Sequence, residues 1–197
     1  MKKYDLLSEI RQPRKRRQRS QQLYKYENLL HRKCCADKPN SKWVTDISYI
    51  PTRQGVLYLS MIRGLYDNSI VAYKTGTQPT VNLVPDTIRL AIKRKKKAVA
   101  AELQLHSDQG LQYTSQAYFN LTKQYGITPS LSRRGNPYDN AMAENFFSIL
   151  KTECIYRHKP ATFSEANKMI DPFIHFYNHE RIQLKTGEAP LARRLSA

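Results

Sequence analysis

The sequence predicts an α/β domain, a mixed five-stranded sheet flanked by helices, behind a basic helical N-terminal arm at residues 1–40. Three observations predict it. Closely spaced β-branched and aromatic runs come first, helical-period runs then alternate with short strands, and positive charge is concentrated ahead of both. With 197 residues, 40% of them hydrophobic, the chain can build one sizeable core at 41–197.

WVTDISYI (43–50) reads as the first strand, and GVLYLSMI (55–62) follows a short turn containing Pro51 and Gly55. NSIVAYKTGT (68–77) is the third strand, and the tight connections imply an antiparallel meander. In TVNLVPDTIRLAIKRKKK (80–97), Val84, Ile88, Ala91 and Ile92 share one helical face, and the basic end complements the helix dipole. AELQLHSD (101–108) is a fourth strand. SQAYFNLTKQYG (115–126) is a helix closed by Gly126, and ITPSLS (127–132) is a fifth strand. Two helices complete the order, one from about Ala141 and one over 162–182. Residues 21–34 read as weakly helical. This order fits a ribonuclease-H-like sheet with helices on both faces.

Charge points to the partner. Lys and Arg number 33 against 16 Asp and Glu, a net of +17, and a polyanion is the natural ligand because neutralising phosphates releases counterions. Residues 1–41 hold 12 Lys/Arg against 4 Asp/Glu, and the densest run, with Arg14, Lys15, Arg16 and Arg17, reads either as a nucleic-acid-binding arm or as a solvated linker. Arg133 and Arg134 form a second basic pair. Cys34, Cys35 and Cys154 make an odd set with one adjacent pair, which argues against a disulfide framework and for a reducing compartment, the cytoplasm. No apolar run reaches the ~18 residues of a membrane span, and the N-terminus lacks the apolar core of a secretory signal.

Against this basic background, three acids stand out. Asp46 sits inside the first strand, where a carboxylate is costly unless paired or metal-bound. Asp108 ends the fourth strand before a Gly turn, a common place for α/β sites and also ordinary turn chemistry. In GNPYDNAMAENFFSILKTE (135–153), Ala143, Phe146, Phe147, Leu150 and Cys154 form the apolar stripe of a helix. Glu144 lies at the margin of that stripe, with Ser148 and Lys151 on its side. Asp139 reads as an N-cap and Glu153 as a surface residue. If the first and fourth strands are adjacent, Asp46, Asp108 and Glu144 meet in one acidic pocket. Carboxylates that close raise each other's pKa unless a cation neutralises them. An all-oxygen set suits Mg²⁺ or Mn²⁺, and two such ions ~4 Å apart support in-line phosphoryl displacement.

WVTDISYI, LHSDQGLQYTS and GNPYDNAMAENFFSILKTE closely resemble the three motifs of the integrase-like DDE transposases of bacterial insertion sequences, including the 35 residues between Asp108 and Glu144. The resemblance implies a catalytic triad and metal-ligand set of Asp46, Asp108 and Glu144 that uses two Mg²⁺ or Mn²⁺ ions. It implies cleavage of the element's double-stranded DNA ends and transfer of the freed 3′-hydroxyl to target DNA, by a homo-oligomer on the nucleoid. Lys151 is similar to the lysine that contacts terminal DNA in such enzymes, and GNPY to their mobile loop. YNHERIQLKTGEAP (177–190) resembles their C-terminal motif, with Tyr177, Asn178 and Arg181 either structural or DNA-contacting.

There are departures too. Residues 1–35 resemble only the tail of a helix-turn-helix region, Gly64 stands where relatives usually have Asp, and Pro85 and Pro172 fall inside expected helices. These features predict a shortened, partly decayed copy whose triad survives. Two other classes stay open on the sequence: a silent DNA-binding protein, and a ribonuclease-H-like nuclease acting on RNA–DNA hybrids.

Overall fold

Strands β1 (Lys42–Thr52), β2 (Gly55–Gly64) and β3 (Ile70–Gly76) form the expected antiparallel meander, and β4 (Gln104–Ser107) and β5 (Thr128–Leu131) extend it in parallel beyond β1. The sheet order is β3-β2-β1-β4-β5. This is a computed structural model, and it describes residues 24–31, 35–78, 80, 82–95, 103–133 and 140–195. The hairpin between β1 and β2 closes on Thr52, whose hydroxyl donates to the Gly55 carbonyl and accepts from the Gly55 N–H. Gly55 has a φ of 141°, which a side chain would strain.

Helix α1 (Leu83–Lys95) and helix α2 (Gln116–Tyr125) cover one face, where Trp43, Ile62 and Ala72 of the sheet meet Val84, Ile88, Tyr118 and Leu121. The other face carries α3 (Ala141–Leu150), one π-helical turn (Lys151–Ile155), α4 (Tyr156–His158), α5 (Phe163–His179) and α6 (Pro190–Leu195). There Val44, Leu59 and Met61 pack on Phe146, Leu150, Ile170 and Tyr177. Each large side chain so buried contributes roughly 1.5–3 kcal/mol, and truncating Phe146 to Ala would cost ~3–5 kcal/mol. Helix α2 has the caps its sequence promises: the Ser115 hydroxyl accepts from the Tyr118 N–H, and Gly126 takes the left-handed conformation at φ 67°.

Several expectations are corrected. Residues 24–30 are not helical. They run extended beside α2 and β5, with Tyr24 stacked on Phe119 at 4.2 Å and Leu131 N–H donating to the Glu27 carbonyl. Tertiary contacts override a weak local propensity there. Helix α1 begins at Leu83, so Pro85 lies in the first turn, where its missing N–H has no helical acceptor to lose. Pro172 does lie inside α5, yet the helix runs through it. Pro172 and Lys168, whose carbonyl loses its helical donor, are both exposed, so the lost bond falls on the solvent side of the helix. The last long helix ends at His179, short of the expected residue 182. No helix among the described residues is long and apolar enough to cross a membrane.

Candidate active site

Asp46 lies mid-way along β1, opposite Met61 of β2. On its other side β1 pairs with β4 only over Lys42–Val44, ending at Val44 opposite His106. Two more residues in that register would set Asp46 directly against Asp108, like charges side by side. The ladder stops before that point, and the carboxylates stand where the two strands part. Ser107 still pairs with Leu131 of β5, so Asp108 is held from behind. Its Oδ1 accepts from the Gly110 N–H at 2.9 Å. A Cβ at Gly110 would meet that same oxygen at 2.9 Å, so a side chain there would make the Asp108 carboxylate shift.

Glu144 is exposed in the first turn of α3, while Ala143, Phe146, Phe147 and Leu150 are buried, as the periodicity predicts. Asp46, Ser48, Glu144 and Lys151 line one cleft of about 330 Å³. Asp46 and Asp108 line a second of about 170 Å³, walled by Tyr49, Tyr58 and Tyr113. Asp46 therefore belongs to both clefts, with Asp108 on one side and Glu144 on the other.

The electrostatics follow from this placement. Burial pushes the Asp46 carboxyl up to about 7, helped by the charges of Asp108 and Glu144. The Ile47 N–H at 2.7 Å and the Asn140 side chain act in the opposite sense. Burial also raises Asp108, against the Gly110 N–H. Burial lowers the Lys151 ammonium, while Asp46 pulls it back up. The site is therefore an excess of negative charge in a basic chain. As the side chains stand, no three His, Cys, Asp or Glu residues among those described form a group that could hold one ion. Two of the acids turn an oxygen to neighbouring backbone instead. The donor chemistry nonetheless fits a hard divalent cation: carboxylate oxygens only, partly desolvated, with no cation among the described residues in an ion pair with them.

Other expected residues fall in different places. Asp139, the GNPY segment and Arg134 lie outside the described residues, as do Arg14, Lys15, Arg16 and Arg17. The N-cap of α3 is Asn140, which makes no side-chain cap bond. Glu153 is not a free surface acid: both its oxygens bind Arg181, at 3.0 and 2.6 Å. The contact is possible because α5 passes beside the π turn that carries Glu153. Arg133 is exposed just beyond β5. Tyr177, Asn178 and Arg181 all make contacts within the fold. Tyr177 packs on Phe146 with ring centroids 4.9 Å apart, and Asn178 bonds both the N–H and the carbonyl of Ile70 on β3. Sequence reasoning missed Asn140 and Tyr113. Asn140 lies one helical turn before Glu144, and that spacing was the available signal. Tyr113 is buried, and burial together with the charge of Asp46 pushes its hydroxyl well up.

The family model described as the integrase core domain matches residues 36–137, and a second model with the same description matches 125–183. The chain belongs to the transposase and integrase core family. An uncharacterized transposase-like protein of Haemophilus influenzae is 43% identical over 159 residues, 81% of this chain and 72% of that protein. The putative transposase InsK for insertion sequence element IS150 of Escherichia coli is 38% identical over 168 residues. That match covers 85% of this chain and only 59% of InsK. Among solved structures, the HTLV-2 integrase catalytic core domain in complex with magnesium, in its trimeric form, superposes with a TM-score of 0.62 at 14% identity. The superposition takes in 81% of this chain and 99% of that core. The shared fold is the ribonuclease-H-like integrase core, as the order of elements predicts.

Proposed function

We propose that this chain is a DNA transposase that cuts element ends and joins the freed 3′-hydroxyl to target DNA, with Asp46, Asp108 and Glu144 as its catalytic carboxylates. The observation that carries this is the position of Asp46, a desolvated carboxylate raised to about 7 by burial and by two other acids from separate elements. A fold does not maintain that charge clash for packing. The three carboxylates would hold two Mg²⁺ or Mn²⁺ ions, and the HTLV-2 core that shares the fold was solved with magnesium. Bound there, the metal supplies charge neutralisation and activation of the attacking oxygen.

The rest falls to this chain's own residues. Lys151, across the cleft from Asp46, takes a DNA phosphate and so brings the scissile strand over the acids. Asn140 steadies Asp46 from the helix that carries Glu144. Arg133 and the basic run at 11–20 supply phosphate contacts along the duplex, giving binding a steep salt dependence. The partners are the terminal repeats and target DNA in the bacterial cytoplasm, engaged by more than one copy, since two ends must be held together.

The test is nicking of supercoiled plasmid by the purified chain with Mg²⁺, with Mn²⁺ and with chelator. Metal-dependent nicking lost in Asp108→Asn and Glu144→Gln is expected. Salt-sensitive DNA binding by a folded protein without nicking would overturn catalysis and leave a binding protein.

A further inference from the structure

Arg63, near the end of β2, is 3% exposed. Its guanidinium has no carboxylate within ion-pair distance among the described residues. Asp67 attracts it only from further off, and burial lowers its pKa. Its bonds go to α3 and the β2–β3 turn. Nη1 donates to the Met142 carbonyl at 2.5 Å and to Asn145 Oδ1 at 3.4 Å, and Nε donates to the Asn68 carbonyl at 3.3 Å.

A buried cation without a direct counter-ion costs more than an apolar side chain of its size, so filling the core does not explain it. The choice of partners does. Met142 and Asn145 bracket Glu144 in the first turn of α3. That turn needs an anchor, because its N-cap residue makes no side-chain bond and the apolar stripe begins only at Ala143. Packing of the stripe fixes which face of α3 meets the sheet. It leaves the tilt and height of the first turn to polar contacts, and a planar fork of donors sets both.

We infer that Arg63 is a positioning residue for Glu144, holding the first turn of α3 so that this carboxylate faces Asp46. The inference rests on Glu144 being a member of the acidic site. Asp67 extends the arrangement. It is fully buried, its Oδ2 accepts from Arg194 Nε of α6 at 2.5 Å, and its Oδ1 accepts from the Ser69 N–H at 2.9 Å. The turn that Arg63 grips is thus itself fastened to the last helix.

The experiment measures Mn²⁺ binding to the purified chain by the loss of free-ion EPR signal, alongside plasmid nicking. The proteins are wild type, Arg63→Met, Arg63→Lys, Asn145→Ala, Glu144→Gln and Arg63→Met/Glu144→Gln. Second-layer supports of metal ligands typically contribute ~10–100-fold in affinity. Arg63→Met should therefore weaken Mn²⁺ binding by at least ~10-fold, with Arg63→Lys intermediate. The double variant should bind no more weakly than Glu144→Gln alone. Asn145→Ala, at an exposed position and leaving Nη1 its bond to the Met142 carbonyl, should lose a few-fold in nicking at subsaturating Mn²⁺ with only a small drop in melting temperature. A folded Arg63→Met with wild-type Mn²⁺ affinity would overturn the inference, and so would losses that add in the double variant. Should Arg63→Met not fold, wild-type behaviour in both Arg63→Lys and Asn145→Ala would overturn it equally. Wild-type protein that neither binds Mn²⁺ nor nicks would instead remove the acidic site on which the inference rests.

Discussion

Two groups of charged side chains lie against the sheet, and they are built on opposite principles. Around the β2–β3 turn, Asp67 pairs with Arg194, and Arg63 spends its donors on carbonyls and an amide. Around the middle of β1, Asp46 lies between Asp108 and Glu144, and no cation among the described residues forms an ion pair with them. The first group is satisfied from within, so removing a member exposes a cost. The second is unsatisfied from within, so removing a member relieves one. Charges that complete one another within the chain serve the fold, and under the proposed function those left uncompensated serve the chemistry.

This contrast can be tested from its largest consequence down. Asp108→Asn or Glu144→Gln should cut metal-dependent nicking by on the order of 10³-fold or more, a loss of ~4 kcal/mol or more in the transition state, while melting stays at or above wild type. Initial rates on supercoiled plasmid, beside a thermal melt, measure both. Asp67→Ala should do the reverse to stability, lowering it by ~3–5 kcal/mol because it strands Arg194 and leaves Arg63 without its nearest anion. Urea titration with an unchanged slope would measure that.

The Asp46 carboxyl gives a pH signature of unusual sign. Its folded pKa of about 7 lies above the ordinary 3.8, so the folded state holds the proton more tightly. Stability of the metal-free protein should therefore fall as pH rises from about 4 to about 7, and Asp46→Asn should recover the loss. The expected gain is on the order of 2–4 kcal/mol at pH 8 and fades toward pH 4. Chelator-treated melts across that range decide it, and a gain of equal size at pH 4 would refute the assignment. Lys151→Ala is the mildest change, ~1 kcal/mol in DNA affinity, with the slope against salt reduced by about one contact. Filter binding at several salt concentrations would measure it.

Much of this was legible in the sequence because it is periodic or local. The stripe from Ala143 to Cys154 placed Glu144 at a margin, and the run 43–50 placed Asp46 in a strand. Asp108 before Gly110 signalled a turn at a strand end. What was not legible depends on contacts across long stretches of chain. Glu153 looked solvent-facing until Arg181, 28 residues away, closed on it. Arg63 drew no reading at all, since nothing local marks a bond to Met142, 79 residues on. Pro85 misled for a different reason. Its cost depends on where the helix starts, and boundaries are the least certain part of a periodic signal.

The π turn over Lys151–Ile155 bears on how this chain tolerates change in length. At 100° per residue, Ile155 would sit about 140° round from Leu150 in a regular α-helix, away from the core. The wider turn swings it back, so Cys154 and Ile155 are both buried. Deleting one residue here would restore regular hydrogen bonding and leave the helix locally content. It would also turn everything downstream, withdraw Ile155 from the core and carry Glu153 off Arg181. Glu144, upstream of the widening, would keep its place on α3. The segment thus works as a spacer in the genetic text. Its length matters for the burial of Ile155 and the Glu153–Arg181 contact more than for the acids it follows.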